Sequence, residues 1–85
     1  MKTATTTTKF ESKKEVFYLI AGSAYTRKQS LVDAMGATLC DMMERADEEG
    51  SFVADIIDRA MRNQSVTDKQ AWAVAYWAER NGYVK

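Results

Sequence analysis

The sequence predicts an all-α protein, a compact bundle of four short helices that follows a flexible N-terminal tail. In four segments, apolar residues recur every three or four positions. Three of these segments begin with a serine or threonine that is followed three residues later by glutamate or glutamine. The joining segments are short, which places successive helices side by side. We therefore predict one helical domain over residues 10–85, with helices at about 12–25, 27–47, 51–63 and 67–81.

The threonine-rich start lacks the pattern of a core element. Thr3 to Thr8 are five threonines and one alanine, and no apolar residues alternate with them. We predict that residues 1–9 form a flexible tail. A short edge strand is the alternative, because branching at Cβ favours extended backbone.

The first helix is predicted from a capping box formed by Ser12 and Glu15. An amphipathic pattern follows at Val16, Leu19, Ile20 and Ala24. Gly22 weakens this helix, and we place its end near Tyr25.

The second helix begins near Thr26 or Ser30 and ends near Asp47, before Gly50. Its apolar residues share one narrow arc on the helical wheel: Leu31, Met35, Leu39, Met42 and Ala46, with Val32 and Met43 at the margin. Asp33, Asp41, Glu44 and Glu48 lie on the opposite side.

The third helix is predicted from Ser51 as its N-cap and from a regular apolar stripe. The stripe is Val53, Ile56, Ile57, Ala60 and Met61. Asp55, Asp58, Arg59 and Arg62 occupy the predicted solvent face.

The fourth helix starts with a second capping box, Thr67 and Gln70, and stops before Gly82. Every residue from Ala71 to Ala78 is apolar or aromatic. Its small residues share one face: Ala71, Val74, Ala75 and Ala78. A helix that is apolar all round is normally central in a larger core. The tryptophans therefore either complete the protein's own core, or leave aromatic surface for a partner.

The expected function is that of a small non-enzymatic interaction module, of the adaptor or inhibitor type, that binds another protein or itself as a homodimer. Tryptophan and tyrosine are frequent anchors of interfaces. The predicted partner-binding residues are Lys69, Trp72, Tyr76, Trp77 and Arg80. The alternative is nucleic-acid binding by Lys69, Trp72, Tyr76 and Arg80 together with the basic N-terminal region, because stacked aromatics among cations suit single strands.

Charge is segregated along the chain, although the net charge is zero. Residues 1–30 hold six basic against two acidic side chains, whereas residues 31–63 hold three basic against eight acidic ones. The predicted acidic surface consists of Glu44, Asp47, Glu48, Glu49, Asp55 and Asp58. We expect the acidic middle to neutralise the basic start within one molecule. Docking of the acidic corner on a basic surface is the alternative.

Several functional classes lack their residues in this chain. Histidine is absent, which removes serine–histidine and cysteine–histidine catalysis and most zinc sites. The four glycines are far apart, so no phosphate-binding loop is present. We expect no enzymatic activity, no cofactor and no metal.

A cytoplasmic protein without membrane contact is expected. The lone cysteine, Cys40, fits a reducing compartment, and the start of the chain lacks the apolar run of a signal peptide. The size and the threonine-rich start resemble in style the small accessory proteins of phages and plasmids, but no motif of any one family accompanies them.

Overall fold

The computed structural model describes residues 8–22 and 29–85, which form the predicted all-α bundle. The helices of the described residues are α1 (Lys13–Ile20), α2 (Gln29–Glu48), α3 (Val53–Met61) and α4 (Asp68–Arg80). The Cα radius of gyration is 11.7 Å, close to the roughly 12 Å expected of a compact chain this long.

Side chains cap the starts of α1 and α4, as the sequence predicts, with a small shift at α1. At α4 the capping box is complete: the Thr67 hydroxyl accepts from the Gln70 amide at 3.1 Å, and the Gln70 side chain accepts from the Thr67 amide at 3.0 Å. At α1 the Ser12 hydroxyl accepts from the Glu15 amide, whereas the Glu15 carboxylate accepts from the amide of Glu11 instead of Ser12.

Helix α3 starts later than predicted. Its N-cap is Phe52 rather than Ser51, and the Phe52 side chain makes no capping hydrogen bond. The Ser51 hydroxyl nevertheless accepts from the Val53 amide at 3.2 Å. The serine thus satisfies one of the free amides of the first turn from a position outside the helix.

Left-handed residues follow the C-terminal ends of α2, α3 and α4. Gly50, Asn63 and Gly82 have φ values of 68°, 59° and 81°. The amide after each of them donates to the carbonyl five residues earlier at 2.8–2.9 Å, which is the hydrogen bond of a Schellman motif. The two glycine stops are confirmed. The stop at Asn63 ends α3 at Met61, two residues before the predicted end.

The first helix is also shorter than predicted. Helix α1 ends at Ile20 and a turn follows at residues 21–22, because Gly22 leaves the segment without a strong helix former at this point. Ala24, Tyr25 and the proposed cap Thr26 lie outside the described residues, as does the side chain of Leu31.

The helices pack as two pairs, α1 on α4 and α2 on α3, and α3 joins the pairs by packing on α4. The predicted stripe of α2 is buried at Met35, Leu39, Met42 and Ala46. The prediction that Met61 belongs to the buried stripe of α3 is wrong, because its side chain is 41% exposed. It is the last residue of α3, at the edge of the apolar stripe.

The two ends of the described chain meet in a terminal clasp, which we define as residues 8–11 and 81–85. The Phe10 amide donates to the Tyr83 carbonyl at 2.8 Å, and the Lys85 amide donates to the Phe10 carbonyl at 2.9 Å. This backbone contact is a single parallel bridge between Phe10 and Val84. The Phe10 side chain is 0% exposed, so it is a full member of the core.

Helix α2 holds the N-terminal half of the clasp. The buried Thr38 hydroxyl donates to the Thr8 carbonyl at 2.6 Å. Thr8 belongs to the predicted tail, and its backbone is therefore attached to the bundle. Residues 1–7 of that tail lie outside the described residues.

Replacing Phe10 by alanine tests the role of the clasp in stability. We expect Phe10→Ala to lower the free energy of unfolding by about 3–5 kcal/mol, because it leaves a cavity in the core. Urea denaturation followed by circular dichroism measures this loss. Lys9→Ala, at the exposed neighbouring position, is the control and should stay within about 0.5 kcal/mol of the parent. Equal midpoints for the two variants would show that the clasp contributes no stability.

Candidate interaction surface on the fourth helix

Helix α4 lies against the rest of the bundle through its small residues. Ala71, Val74, Ala75 and Ala78 are all fully buried, as the helical wheel predicts. Short side chains allow neighbouring helices to approach closely, and both α1 and α3 pack against α4. The other side chains of α4, above all Trp72, Tyr76 and Trp77, determine whether aromatic surface is exposed to solvent.

Trp77 belongs to the core, which corrects its assignment to the partner-binding surface. Its side chain is 4% exposed, and its ring stacks on Tyr83 with centroids 5.7 Å apart. The indole Nε1 donates to the Glu49 carboxylate at 3.2 Å. Trp77 projects from α4 about 100° away from Tyr76, so the C-terminal half of the clasp and the end of α2 cover it.

Trp72 and Tyr76 lie on the side of α4 next to α1. Trp72 is half-buried and stacks on Phe17 of α1, with ring centroids 4.4 Å apart and planes 17° apart. The Tyr76 ring lies 6.1 Å from Trp72 and is 50% exposed. Aromatic surface is therefore accessible on this side of the bundle.

Helix α1 adds a further exposed ring that the sequence analysis missed. Tyr18 is 43% exposed and meets the edge of Phe17 at 5.7 Å. We call Tyr18, Trp72 and Tyr76 the aromatic patch, with the buried Phe17 beneath it. The adjacent aromatics of α1 are visible in the sequence, but the pairing of α1 with α4 is not.

Basic side chains surround the aromatic patch. The Lys13 ammonium lies 4.7 Å from the centroid of the Tyr76 ring, within the range of a cation–π interaction. It also lies 3.6 Å from the Glu79 carboxylate. The predicted Lys69 and Arg80 are exposed on α4, on the same helical strip as Tyr76. Lys13 is the cation that sequence analysis missed.

The predicted acidic surface is also exposed. Glu44, Asp47, Glu48, Glu49 and Asp55 are exposed, and Asp58 is half-buried. Two of these residues make local ion pairs within the acidic segment. Arg45 pairs with Glu49 at 3.8 Å, and Arg62 pairs with Asp58 at 3.1 Å.

Three of the six basic residues of the start, Lys2, Arg27 and Lys28, lie outside the described residues, so the expected neutralisation of the basic start by the acidic middle stays a prediction. Two further ion pairs, Lys13–Glu79 and Lys85–Glu11, connect α1 and the N-terminal half of the clasp with α4 and the C-terminal half. Glu44, Asp47, Glu48 and Asp55 take part in none of these pairs, so their charge faces solvent.

The described part of the chain contains neither a metal-binding cluster nor a membrane-spanning helix. No three potential ligands among its cysteines, aspartates and glutamates converge in a way that would hold a metal ion. None of its helices combines the length and the apolar character that crossing a membrane requires. No protein-family model, curated protein or solved structure matches this chain.

Alanine variants at the neighbouring positions 76 and 77 test the division between patch and core. We expect Trp77→Ala to cost about 3–5 kcal/mol, because it empties a buried site and removes the hydrogen bond to Glu49. Tyr76→Ala should cost less than about 1 kcal/mol, because its ring is half exposed. Chemical denaturation of both variants gives the comparison. Similar losses at both positions would contradict this assignment.

The buried phenol of Tyr83 predicts a loss of stability at alkaline pH. Burial raises the pKa of Tyr83, and its hydrogen bond to the Asp41 carboxylate, 2.6 Å long, raises the pKa further. Because the folded pKa exceeds the unfolded value of about 10, this stabilisation is complete below pH 10 and is lost as the pH rises through the folded pKa.

Tyr83→Phe isolates this effect. At pH 8 we expect the parent to be the more stable protein by about 1.5–3 kcal/mol, since the hydrogen bond has a charged acceptor. As the pH rises above 10 the difference should shrink, and denaturation curves at each pH measure it. Tyr76→Phe serves as the control at an exposed ring. A constant difference between the parent and Tyr83→Phe would argue against a titrating Tyr83.

Proposed function

We propose that this protein is a small non-enzymatic interaction module, of the adaptor or inhibitor type, whose aromatic patch binds another protein. The observation that carries the proposal is the half-exposed ring of Tyr76, which lies beside Trp72 on a stacked aromatic base. With Trp77 in the core, the binding surface is narrower than the one predicted from sequence.

The rigidity of the patch favours binding. Trp72 is stacked on the buried Phe17, so its ring loses little freedom when a partner covers it. Preorganised side chains lower the entropic cost of association. Tyrosine and tryptophan also combine a large apolar area with a polar atom, which suits a surface that is wet before binding.

The basic residues around the patch define the chemistry of the partner. Lys69 and Arg80 are exposed on either side of Tyr76 along α4. A partner that places carboxylates near these cations gains electrostatic complementarity, which sets orientation and accelerates association. We therefore propose an apolar or aromatic contact on the partner with acidic groups next to it.

Nucleic-acid binding is the second candidate, and one contact favours it. Lys13 adds a third cation to the aromatic strip that already holds Lys69 and Arg80. The Glu79 carboxylate, 3.6 Å from the same ammonium, repels phosphate and makes protein binding the better candidate. Titration with single-stranded oligonucleotides at increasing salt separates the two, because phosphate contacts weaken steeply with salt.

We also propose that the protein is cytoplasmic. Its one cysteine, Cys40, is exposed and has no second cysteine in the chain with which to form a disulfide. An exposed free thiol is compatible with a reducing compartment.

Removing the central ring of the patch tests the proposed function. Tyr76→Ala should weaken partner binding by about 30-fold or more, the effect of losing a central interface aromatic. The immobilised parent and variant are exposed to the same extract, retained proteins are quantified by mass spectrometry, and affinities are measured with the purified ligand.

Met61→Ala is the matched control, because Met61 is an exposed apolar side chain on α3. Its retained proteins should equal those of the parent. Circular dichroism confirms that both variants are folded. If Tyr76→Ala retains every protein that the parent retains, with unchanged affinity, the aromatic patch is not the binding site.

A further inference from the structure

The helix pairing turns the charge segregation of the sequence into a segregation between two halves of the fold. The half that contains α1, α4 and the terminal clasp, residues 8–22 and 67–85, carries six basic and four acidic side chains. The half that contains α2 and α3, residues 29–66, carries three basic and eight acidic ones. Within the described residues the molecule is therefore electrically polar.

The acidic half exposes an aromatic ring of its own. Phe52 is 64% exposed, more than any other large apolar residue of the described chain. It occupies the N-cap position of α3, where its side chain makes no contribution to capping. An exposed phenylalanine side chain lacks the stabilisation that burial of its apolar area would give.

Carboxylates flank Phe52 closely along the chain. Glu48 is the last residue of α2 and Glu49 follows it, and Asp55 lies in the first turn of α3. All three are exposed, and neither Glu48 nor Asp55 takes part in an ion pair of the described residues. We call Phe52, Glu48 and Asp55 the acidic knob.

We propose that a second copy of this chain binds the aromatic patch by presenting its acidic knob. The inference rests on the proposed function, because it supplies the occupant of the same surface. An apolar ring with carboxylates next to it matches an aromatic surface with cations next to it. The Phe52 ring packs against Tyr76 and Trp72, and its flanking carboxylates face Lys69 and Arg80.

The two surfaces are complementary rather than identical, which determines the form of the assembly. Each protomer has one patch on α1 and α4 and one knob between α2 and α3. A contact between different surfaces is heterologous, and its repetition gives closed rings or open chains instead of a twofold dimer. Because the contact is partly ionic, it weakens as salt screens the charges.

Complementation between two variants tests this arrangement. Tyr76→Ala disables the patch and keeps the knob, whereas the double variant Phe52→Ala with Asp55→Lys disables the knob and keeps the patch. Sedimentation equilibrium at micromolar to millimolar concentration gives the mass of each variant and of their equimolar mixture. Circular dichroism confirms folding, and Met61→Ala is the control for removing an exposed apolar side chain.

The expected masses are specific. The parent and Met61→Ala exceed the protomer mass of 9.6 kDa as concentration rises, and their association weakens in high salt. Each disabled variant alone associates at least about tenfold more weakly. Their mixture forms a complex of one copy each and nothing larger, because only one intact patch and one intact knob meet.

Three results would overturn the proposal: a parent that stays monomeric, a mixture that stays monomeric, or a knob variant that associates as strongly as the parent. The last result identifies contact between two patches. A monomeric parent that still retains other proteins in a Tyr76-dependent way rejects the second copy and leaves the proposed function intact. If neither self-association nor the retention of other proteins depends on Tyr76, both this proposal and the proposed function are rejected.

Discussion

The apolar circumference of α4 is the constraint from which the rest of the structure follows. Eight consecutive apolar residues, Ala71 to Ala78, must be shielded by a chain of 85 residues, and one neighbouring helix cannot cover such a cylinder. Helices α1 and α3 cover the small residues. The terminal clasp and the end of α2 cover Trp77 through Tyr83 and Glu49. Within the described residues, the side of α4 that carries Tyr76 stays half exposed.

Polar groups at the margins of this core are satisfied by long-range partners. Thr38 reaches the Thr8 carbonyl, and Tyr83 reaches Asp41. Among the described residues no buried side-chain nitrogen or oxygen lacks a hydrogen-bond partner, as stability in a low-dielectric interior requires. These bonds also attach α2 to both halves of the clasp, so that a helix paired mainly with α3 is held to the remainder of the bundle.

Charged groups on the surface differ from these buried polar groups, because most of them are solvated by water. Four ion pairs each lie within one half of the fold: Lys13–Glu79, Arg45–Glu49, Arg62–Asp58 and Lys85–Glu11. Their side chains are at least 35% exposed, and such pairs contribute little to stability. We propose that the separation of charge acts outside the protomer, on the orientation and rate of association with a partner.

Local rules determined the helices, and long-range packing decided the surfaces. The capping box at Thr67, the stops at Gly50 and Gly82 and the stripe of α2 depend on neighbours within two turns, so the sequence alone predicts them. The burial of Trp77 depends on Tyr83, Glu49 and the fold of the clasp, and that of Phe10 depends on residues more than 70 positions away. Periodicity shows which side of a helix is apolar, but it carries no information about which element covers that side. For this reason Trp77 became a core residue, whereas Trp72 on the same helix is half-buried and stacks on Phe17 of α1.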